Sequence, residues 1–150
     1  ELIIADVSRL KEALTARLTN AMTLQLIGRR HLRDNNSWMH NSERLVKGPN
    51  RCTLQMHPQD AAQRALQDGQ EVAIQSRVGE VAVPVHLTHA IRPGVVSLPH
   101  GWGHDREGIR LKVAQAHAGV SINDLTDDRA TDRISGNAAF SAVPVEVRAA

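Results

Sequence analysis

The sequence contains few of the residues on which several classes of protein depend. Its 150 residues include one cysteine, no tyrosine, two tryptophans and one phenylalanine. A single cysteine excludes an internal disulfide framework and indicates a reducing compartment by default, so we expect a cytoplasmic protein. No apolar run approaches the length of about 18 residues that a membrane-spanning helix needs, so we expect no membrane partner.

Neither sign of charge dominates the chain. Lys and Arg total 18 and Asp and Glu total 16, which gives a formal net charge of +2. A nucleic-acid-binding surface needs a larger excess of positive charge, so we expect no nucleic-acid partner. The first residues form no basic segment of the kind that begins a signal peptide, and they include no initiator methionine. We therefore expect the chain to be part of a longer protein.

The polarity pattern predicts a mainly β fold with short helices. Six short strands alternate with polar loops, and they are predicted at 24–28, 52–56, 71–77, 81–87, 95–98 and 144–148. Two short helical segments are predicted, one that begins at Pro58 and one over residues 121–125. Pro84 interrupts a strand and favours an edge or a bulge there. This combination of short strands, short helices and polar loops is typical of a small β-barrel and not of alternating βαβ units.

A separate helix is predicted before the first strand. Val7, Leu10 and Leu14 recur at helical spacing within residues 6–18, and Asp6 is suited to the N-cap. We expect residues 1–22 to be a helical lead-in from an upstream domain and residues 23–150 to form the barrel domain.

The segment between the first two strands, residues 29–51, concentrates positive charge. It holds six basic and two acidic residues, so the rest of the chain is net negative. Such a loop indicates a phosphate or carboxylate partner. Its asparagines and serine are suited to a polar heterocycle, and Trp38 is either a stacking face or a core anchor. The alternative is a solvated arginine-rich loop held in place by a buried Trp38.

Two other segments give weaker signals. His100 and His104 are four residues apart, but the glycines between them and the preceding Pro99 argue against the helix that would direct both at one metal ion. Close approach of the backbone to a ligand or a strand explains these glycines better. Cys52 is interpreted as a small buried apolar residue and not as a nucleophile.

Taken together, these segments resemble the C-terminal molybdopterin-dinucleotide-binding domain of the dimethyl sulfoxide reductase family of molybdenum oxidoreductases, which includes formate dehydrogenases and nitrate reductases. The resemblance extends from about Leu24 to Val147. Its motifs, in order, are Leu26-Ile27-Gly28-Arg29, Pro58-x-Asp60-Ala61, Leu66-x-Asp68-Gly69-x-x-Val72, Ser76-Arg77-Val78-Gly79, Pro93-Gly94-Val95-Val96, Asn123-x-Leu125-Thr126 and Phe140-x-x-x-Pro144-Val145-x-Val147. The resemblance implies a double-psi β-barrel of the aspartate-decarboxylase-like type.

The resemblance also implies a binding site. In this family two pyranopterin guanine dinucleotides hold molybdenum or tungsten, and the C-terminal domain contacts their pterin and phosphate portions. The residues carried over to cofactor binding are Gly28, Arg29, Arg30, Asn35, Asn36, Ser37, Trp38, Met39, His40, Asn41, His100, Trp102, His104, Asn123 and Phe140. Many relatives have Gly-Thr-Met-Thr where this chain has Ser37-Trp38-Met39-His40. The latter version is most similar to formate-dehydrogenase-type relatives, so we expect formate as the substrate of the parent enzyme.

The same resemblance implies that other domains of the parent enzyme carry the metal ligand and the redox centres. The metal ligand and any iron–sulfur cluster belong to upstream domains of the parent chain, and one cysteine cannot hold a four-cysteine cluster. We therefore expect this chain alone not to be catalytic. Two alternatives remain open: a free-standing double-psi barrel that recognises a protein or peptide, and a small metal-dependent hydrolase that uses His100 and His104. The cofactor hypothesis requires the segment after Ile27 to fold against the stretches that contain Trp102 and Asn123.

Overall fold

Six strands form a closed barrel in the computed structural model, which describes residues 2–19, 23–132 and 134–150. The strands are β1 (Leu24–Arg29), β2 (Leu54–Met56), β3 (Glu71–Gln75), β4 (Glu80–Leu87), β5 (Val95–Pro99) and β6 (Val143–Ala149). Around the barrel the order is β1-β5-β2-β4-β3-β6. The pairs β1–β5 and β2–β4 are parallel, whereas the other four are antiparallel. The predicted β-barrel is confirmed.

Short helices occupy the connections, as predicted, but with different bounds. They are α1 (Leu2–Thr19), α2 (Glu43–Val46), α3 (Pro58–Ala62), α4 (Lys112–Ala116) and a 3-10 helix (Ile122–Leu125). The helix before the barrel begins four residues earlier than predicted, so Asp6 lies inside it and pairs with Arg9 at 2.6 Å instead of capping it. Neither α2 nor α4 was predicted, because four or five residues are too few to show a helical period.

Aliphatic side chains fill the interior of the barrel. On β4, Val81, Val83 and Val85 are buried, whereas Glu80, Ala82 and His86 are exposed, as the alternating pattern predicts. The most completely buried side chains of the barrel include Leu24, Leu26, Leu54, Met56, Val72, Ile74, Val96, Leu98 and Val145. Each such side chain contributes about 1.5–3 kcal/mol through removal of apolar surface from water. The barrel therefore has a core that does not depend on aromatic residues.

The edge position predicted for Pro84 is wrong. A closed barrel has no edge strand, and β4 has a neighbour on each side. Its first part, as far as Pro84, pairs with β3, and its last part, from Val85 to Leu87, pairs with β2. Pro84 lies where β4 exchanges one partner for the other, so the ladder tolerates a residue without an N–H group.

The apolar face predicted for α1 is present but uncovered. Val7, Leu10 and Leu14 are 46%, 56% and 53% exposed, so about half of each of these apolar side chains is open to solvent. No helix among those residues has the length and the apolar character needed to cross a membrane.

Candidate functional site

The structure brings two loops together at one end of the barrel. The first loop, residues 30–53, joins β1 to β2, and the second loop, residues 100–105, follows β5. A β-carbon on Gly28 would lie 2.0 Å from His100 Nε2, so the imidazole of His100 lies against β1. A β-carbon on Gly101 would lie 2.1 Å from the carbonyl oxygen of Asn36. The predicted contact between these two regions is therefore present.

A buried polar cluster lies between the two loops and links them. His40 and His104 are 1% and 8% exposed, and His40 Nδ1 lies 2.7 Å from His104 Nε2. The ring of His40 lies 4.2 Å from that of Trp102, measured between centroids. Asp34, 1% exposed, accepts a hydrogen bond from Arg51 at 3.1 Å. His40, Trp102 and His104 thus use their side chains to hold the loops together.

Burial sets the electrostatics of this cluster. It lowers the pKa of His40, an effect that the nearby Asp34 carboxylate opposes. It also lowers the pKa of His104, and the pKa of His100 falls for the same reason, with a further contribution from Arg30. Because each shift is downward, the neutral imidazoles are favoured in the folded chain.

Arg29 is occupied by contacts inside the protein. Its guanidinium donates to the carbonyl oxygens of Ser97 at 2.5 Å, Thr53 at 2.7 Å and Arg51 at 3.2 Å. Burial lowers its pKa. The side chain therefore links the end of β1 to β5 and to the start of β2, and a cofactor could use only the N–H groups that these bonds leave.

The exposed surface of the first loop includes the continuous run from Asn35 to Met39. Asn35 and Asn36 have φ values of 42° and 60°, in the left-handed region that asparagine tolerates better than most residues. Trp38 is 84% exposed and Leu32 is 96% exposed. The interpretation of Trp38 as a buried anchor is therefore wrong, whereas its ring is open to a stacking partner.

Charge on the first loop remains largely unpaired. Only Arg51 among its cations forms an ion pair with a carboxylate in the described part of the chain. The other cationic side chains of this loop contact neutral groups or solvent. These are Arg30, Arg33, Arg44 and Lys47. The surface of this loop is therefore positively charged, as the sequence predicts.

Asn41 and Asn123 are two further residues that the resemblance assigns to cofactor binding. The Oδ1 of Asn41 accepts hydrogen bonds from the N–H groups of Val113 and Ala114, so this residue caps α4. Asn123 is exposed, and the neighbouring Ser121 packs against Gly103 of the second loop. The Asn123 region thus adjoins the second loop through Ser121, and the N–H of Val120 contacts Cys52 Sγ at the end of the first loop, as the cofactor hypothesis requires.

Phe140, the last predicted site residue, lies beside a cavity and belongs to neither loop. It is 59% exposed, and its neighbours Ala139 and Ser141 line a cavity of about 290 Å³ that also contacts Leu125 and Asp127.

The sequence did not identify Asp34 as a site residue, although it is the acidic centre of the buried cluster. The available signal was one acidic residue among closely spaced basic ones, and this pattern does not distinguish a buried partner from a solvated one. The interpretation of Cys52 is confirmed, because it is buried and burial raises its pKa. Within the described residues, no three His, Cys, Asp or Glu side chains are grouped so as to hold a metal ion.

Comparisons with known proteins agree on one protein family. The family model for the "Molydopterin dinucleotide binding domain" matches residues 24–144. The chain is 34% identical over 110 residues to the arsenate respiratory reductase molybdopterin-containing subunit of Shewanella sp., and this match covers 71% of the chain and 13% of the relative. It is 29% identical over 109 residues to a tetrathionate reductase subunit of Salmonella typhimurium, covering 61% of the chain and 11% of the relative. The chain thus spans about one eighth or less of these relatives.

A solved structure shares the fold. Acetylene hydratase from Pelobacter acetylenicus superposes with a TM-score of 0.71 at 18% identity, over 98% of this chain and 20% of that one.

Proposed function

Because the chain belongs to the family of molybdopterin-dinucleotide-binding domains, we propose that it binds a molybdopterin guanine dinucleotide through its two clustered loops, as the C-terminal domain of a longer molybdenum oxidoreductase. The double-psi β-barrel supplies a rigid base for these loops. The observation that carries the proposal is that both loops meet at one end of the barrel, with the unpaired positive charge on one of them.

The donor groups on the first loop fit the diphosphate of such a cofactor. Within the described residues, the side chains of Arg30 and Arg33 donate to neutral oxygen atoms, those of the Asn36 side chain and the Arg44 backbone. Guanidinium groups bind phosphate oxygens through paired N–H donors, which gives orientation as well as attraction. Both arginines are therefore available to hold the phosphates, whereas Arg29 mainly positions the strand from which the loop begins.

The exposed polar surface fits the pterin. Asn35, Asn36 and Ser37 offer both donors and acceptors to the edge of a heterocycle. The Trp38 ring, 84% exposed, offers a flat face for stacking on a planar ring. In this arrangement the chain orients the cofactor, and the bound metal supplies the redox chemistry.

The parts of the parent enzyme that this chain lacks are also proposals. We place the protein ligand of molybdenum or tungsten, and any iron–sulfur cluster, in upstream domains of the same chain, because Cys52 is buried against Val120. This chain alone is then not catalytic. We also keep a cytoplasmic location as a proposal, on the evidence of the single cysteine.

For the parent enzyme we propose reduction of an oxidised sulfur or arsenic compound. The names of the tetrathionate and arsenate reductases support this class of substrate. The formate prediction rested on Ser37 to His40 alone and stays a prediction. Assays of the full-length enzyme with reduced viologen and tetrathionate or arsenate, against formate with oxidised viologen, separate the two.

The second candidate function is recognition of a protein or peptide by the barrel. The exposed Leu32 and Trp38 on the first loop favour it, because large exposed apolar side chains often mark contact surfaces. A short apolar peptide and a cofactor fragment would then compete for the same loop.

Tryptophan fluorescence and NMR test the cofactor proposal. The chain contains Trp38 and Trp102 only, so Trp38→Phe leaves a single, buried reporter. A soluble pterin should quench the emission of the original chain more strongly than that of the variant. Guanosine diphosphate should shift backbone amides in residues 30–41. The proposal fails if neither probe alters this loop.

A further inference from the structure

A cavity of about 420 Å³, here called the β2 cavity, lies between the two ends of the first loop and the strands β2, β4 and β5. Gln55 of β2 and His86 of β4 are register partners, and both line it. Leu54 and Met56, on either side of Gln55, are buried in the core, so the β2 cavity lies outside the barrel interior. Its volume is within the range of about 300–1,000 Å³ that is typical of small-molecule sites. Its walls do not include the exposed run from Asn35 to Met39, so it is separate from the surface proposed for the pterin.

Two guanidinium groups line the β2 cavity, and a carboxylate is paired with only one of them in the described part of the chain. Arg51 contacts Asp34 Oδ1 at 3.1 Å. Arg29 is partly buried and donates instead to three neutral carbonyl oxygens. Removing a charge from water without a counterion is costly, and an anion bound beside Arg29 would offset that cost.

Three side chains of the β2 cavity have hydrogen-bond donors left for such an anion. A guanidinium carries five N–H donors, and the three carbonyl bonds of Arg29 leave two of them. Thr53 Oγ1 accepts from Arg29 Nη2 at 3.3 Å, which leaves the hydroxyl proton for another acceptor. Asn50 Oδ1 accepts from the N–H of Cys52 at 2.9 Å, which leaves the amide NH₂ group. Donors from three residues suit the three terminal oxygens of a phosphate group better than the two oxygens of a carboxylate.

The rest of the wall is mainly apolar. It includes Pro49 from the first loop, Pro84 and Val85 from β4, and Pro99 at the end of β5. A bare phosphate ion would leave these side chains in contact with water, whereas a ligand with an apolar body would cover them. Apolar walls also strengthen the attraction between a cation and an anion in a cleft. The β2 cavity therefore fits a phosphate group that is attached to a small organic body.

One acidic side chain faces the same cavity from its rim. Asp68 is 63% exposed at its side chain, its Oδ1 accepts from the N–H of Leu87 at 2.7 Å, and it lies 3.6 Å from His86 Nδ1. His31, on the opposite side, accepts from the N–H of Arg33 at 3.1 Å through its Nδ1. Since Asp68 is exposed, solvent and salt screen its repulsion of an anion more than they screen the attraction of the partly buried Arg29.

We propose that the β2 cavity binds a small organic phosphate, with the phosphate group at Arg29, Thr53 and Asn50 and the organic body against the prolines. Two sources share this chemistry, a free phosphate ester and the phosphate portion of the proposed cofactor. The first source is independent of the proposed function. The second rests on it and would extend the cofactor surface from the loop to this cavity.

NMR titration of the whole chain, labelled with ¹⁵N, tests the site with phenyl phosphate, inorganic phosphate and phenol. Phenyl phosphate should shift the backbone amides of Thr53, Gln55 and His86 in a saturable way. Inorganic phosphate should shift the same amides with lower affinity, because it does not cover the apolar wall, and phenol should not shift them.

Guanosine diphosphate separates the two sources. Tighter binding of guanosine diphosphate than of phenyl phosphate at the amides of the β2 cavity assigns the cavity to the phosphates of the cofactor. Shifts by guanosine diphosphate that are confined to residues 30–41 assign the cavity to a free organic phosphate. Either result, together with binding of phenyl phosphate, supports the site.

Two substitutions should change the affinity for phenyl phosphate in opposite directions. Asp68→Asn should raise it about two- to fivefold, because it removes the negative charge at the rim while the amide oxygen still accepts from Leu87. Thr53→Val should lower it about tenfold, because it removes one donor to a charged group. Asp128→Asn is the matched control, because Asp128 is exposed and does not line the cavity, and it should leave the affinity unchanged. Urea unfolding checks that the variants are folded.

Three results would overturn the proposal. The first is a lack of saturable shifts at the Thr53, Gln55 and His86 amides of the original chain with phenyl phosphate, which requires no variant. The second is an affinity that neither Asp68→Asn nor Thr53→Val alters. The third is equal affinity for phenyl phosphate and inorganic phosphate, because the organic body would then contribute nothing. The proposed function is tested by amides in residues 30–41, so either proposal can fail while the other stands.

Discussion

The imidazole of His100 lies over the α-carbon of Gly28, so close that a β-carbon there would be 2.0 Å from His100 Nε2. The backbone N–H of His100 also donates to the carbonyl oxygen of Arg29 at 3.0 Å. The second loop is thus attached to the end of β1 by its main chain and by a ring that only a glycine accommodates.

Gly28→Ala should displace the ring of His100 at little cost in stability. The atoms in the way belong to the end of a side chain that can rotate, and alanine suits a strand better than glycine does. We expect the free energy of unfolding to change by less than about 1 kcal/mol. The pKa of His100, lowered by burial, should move up towards its ordinary value, and an NMR titration measures this. An unchanged pKa would contradict the contact.

Gly101→Ala should separate the two loops at a large cost. Its φ of +87° disfavours any side chain, and the new β-carbon would meet the backbone of Asn36. We expect a loss of about 1–2 kcal/mol from the backbone and about 1–3 kcal/mol from the clash. Gly108→Ala is the matched control, because its φ is +85° and nothing lies within 4 Å. Urea unfolding measures both; equal losses would show that the loops are not in tight contact.

Arg29→Lys should destabilise the chain far more than Arg30→Lys. Lysine cannot donate to the carbonyls of Ser97, Thr53 and Arg51 together, and each unsatisfied contact with a charged donor costs about 1.5–3 kcal/mol. In the part of the chain that the structure describes, the exposed Arg30 makes one side-chain hydrogen bond, to Asn36, so its replacement should cost at most about 0.5 kcal/mol. Thermal unfolding compares the two. Similar losses would argue against the structural role of Arg29.

Asp127 should retain its charge in unusually strong acid. Its bonds to Arg77 and to the Arg129 backbone lower its pKa from 3.8 to about 2. Because the folded-state pKa lies below the unfolded value, this group stabilises the fold above about pH 3.8, and the effect is lost as the pH falls towards 2. Carboxyl NMR should show this midpoint in the original chain and a return towards 3.8 in Arg77→Ala. Arg129→Ala, which keeps the backbone bond, should cause a smaller change.

The strands were predicted well because their signal is local. Val81, Val83 and Val85 alternate with polar residues, and that period alone places one face inward. The bounds and partners of the elements were harder. Pro84 pointed to an edge because the sequence does not show that β4 exchanges β3 for β2 at that residue.

The candidate site was predicted in part. The family resemblance indicated which two loops meet, and the composition indicated that the first of them is positively charged. It did not reveal that His40, Trp102 and His104 point inward or that Trp38 is exposed. Burial of an individual loop side chain depends on contacts with residues distant in the chain, and residues 29–51 have no period from which to infer it.

The sequence by itself determined a mainly β chain with an aliphatic core, a basic loop after the first strand and glycines at the positions of closest backbone approach. These features follow from composition and from the periodicity of neighbouring residues, which are local properties of the chain. Only the tertiary structure decided that Asp34 would be buried between His40 and Arg51 and that the guanidinium of Arg29 would be held by three carbonyls. The physical reason is that closure of the barrel brings together residues more than 60 positions apart, such as His40 and His104, and the cost of desolvation then fixes which polar groups must pair.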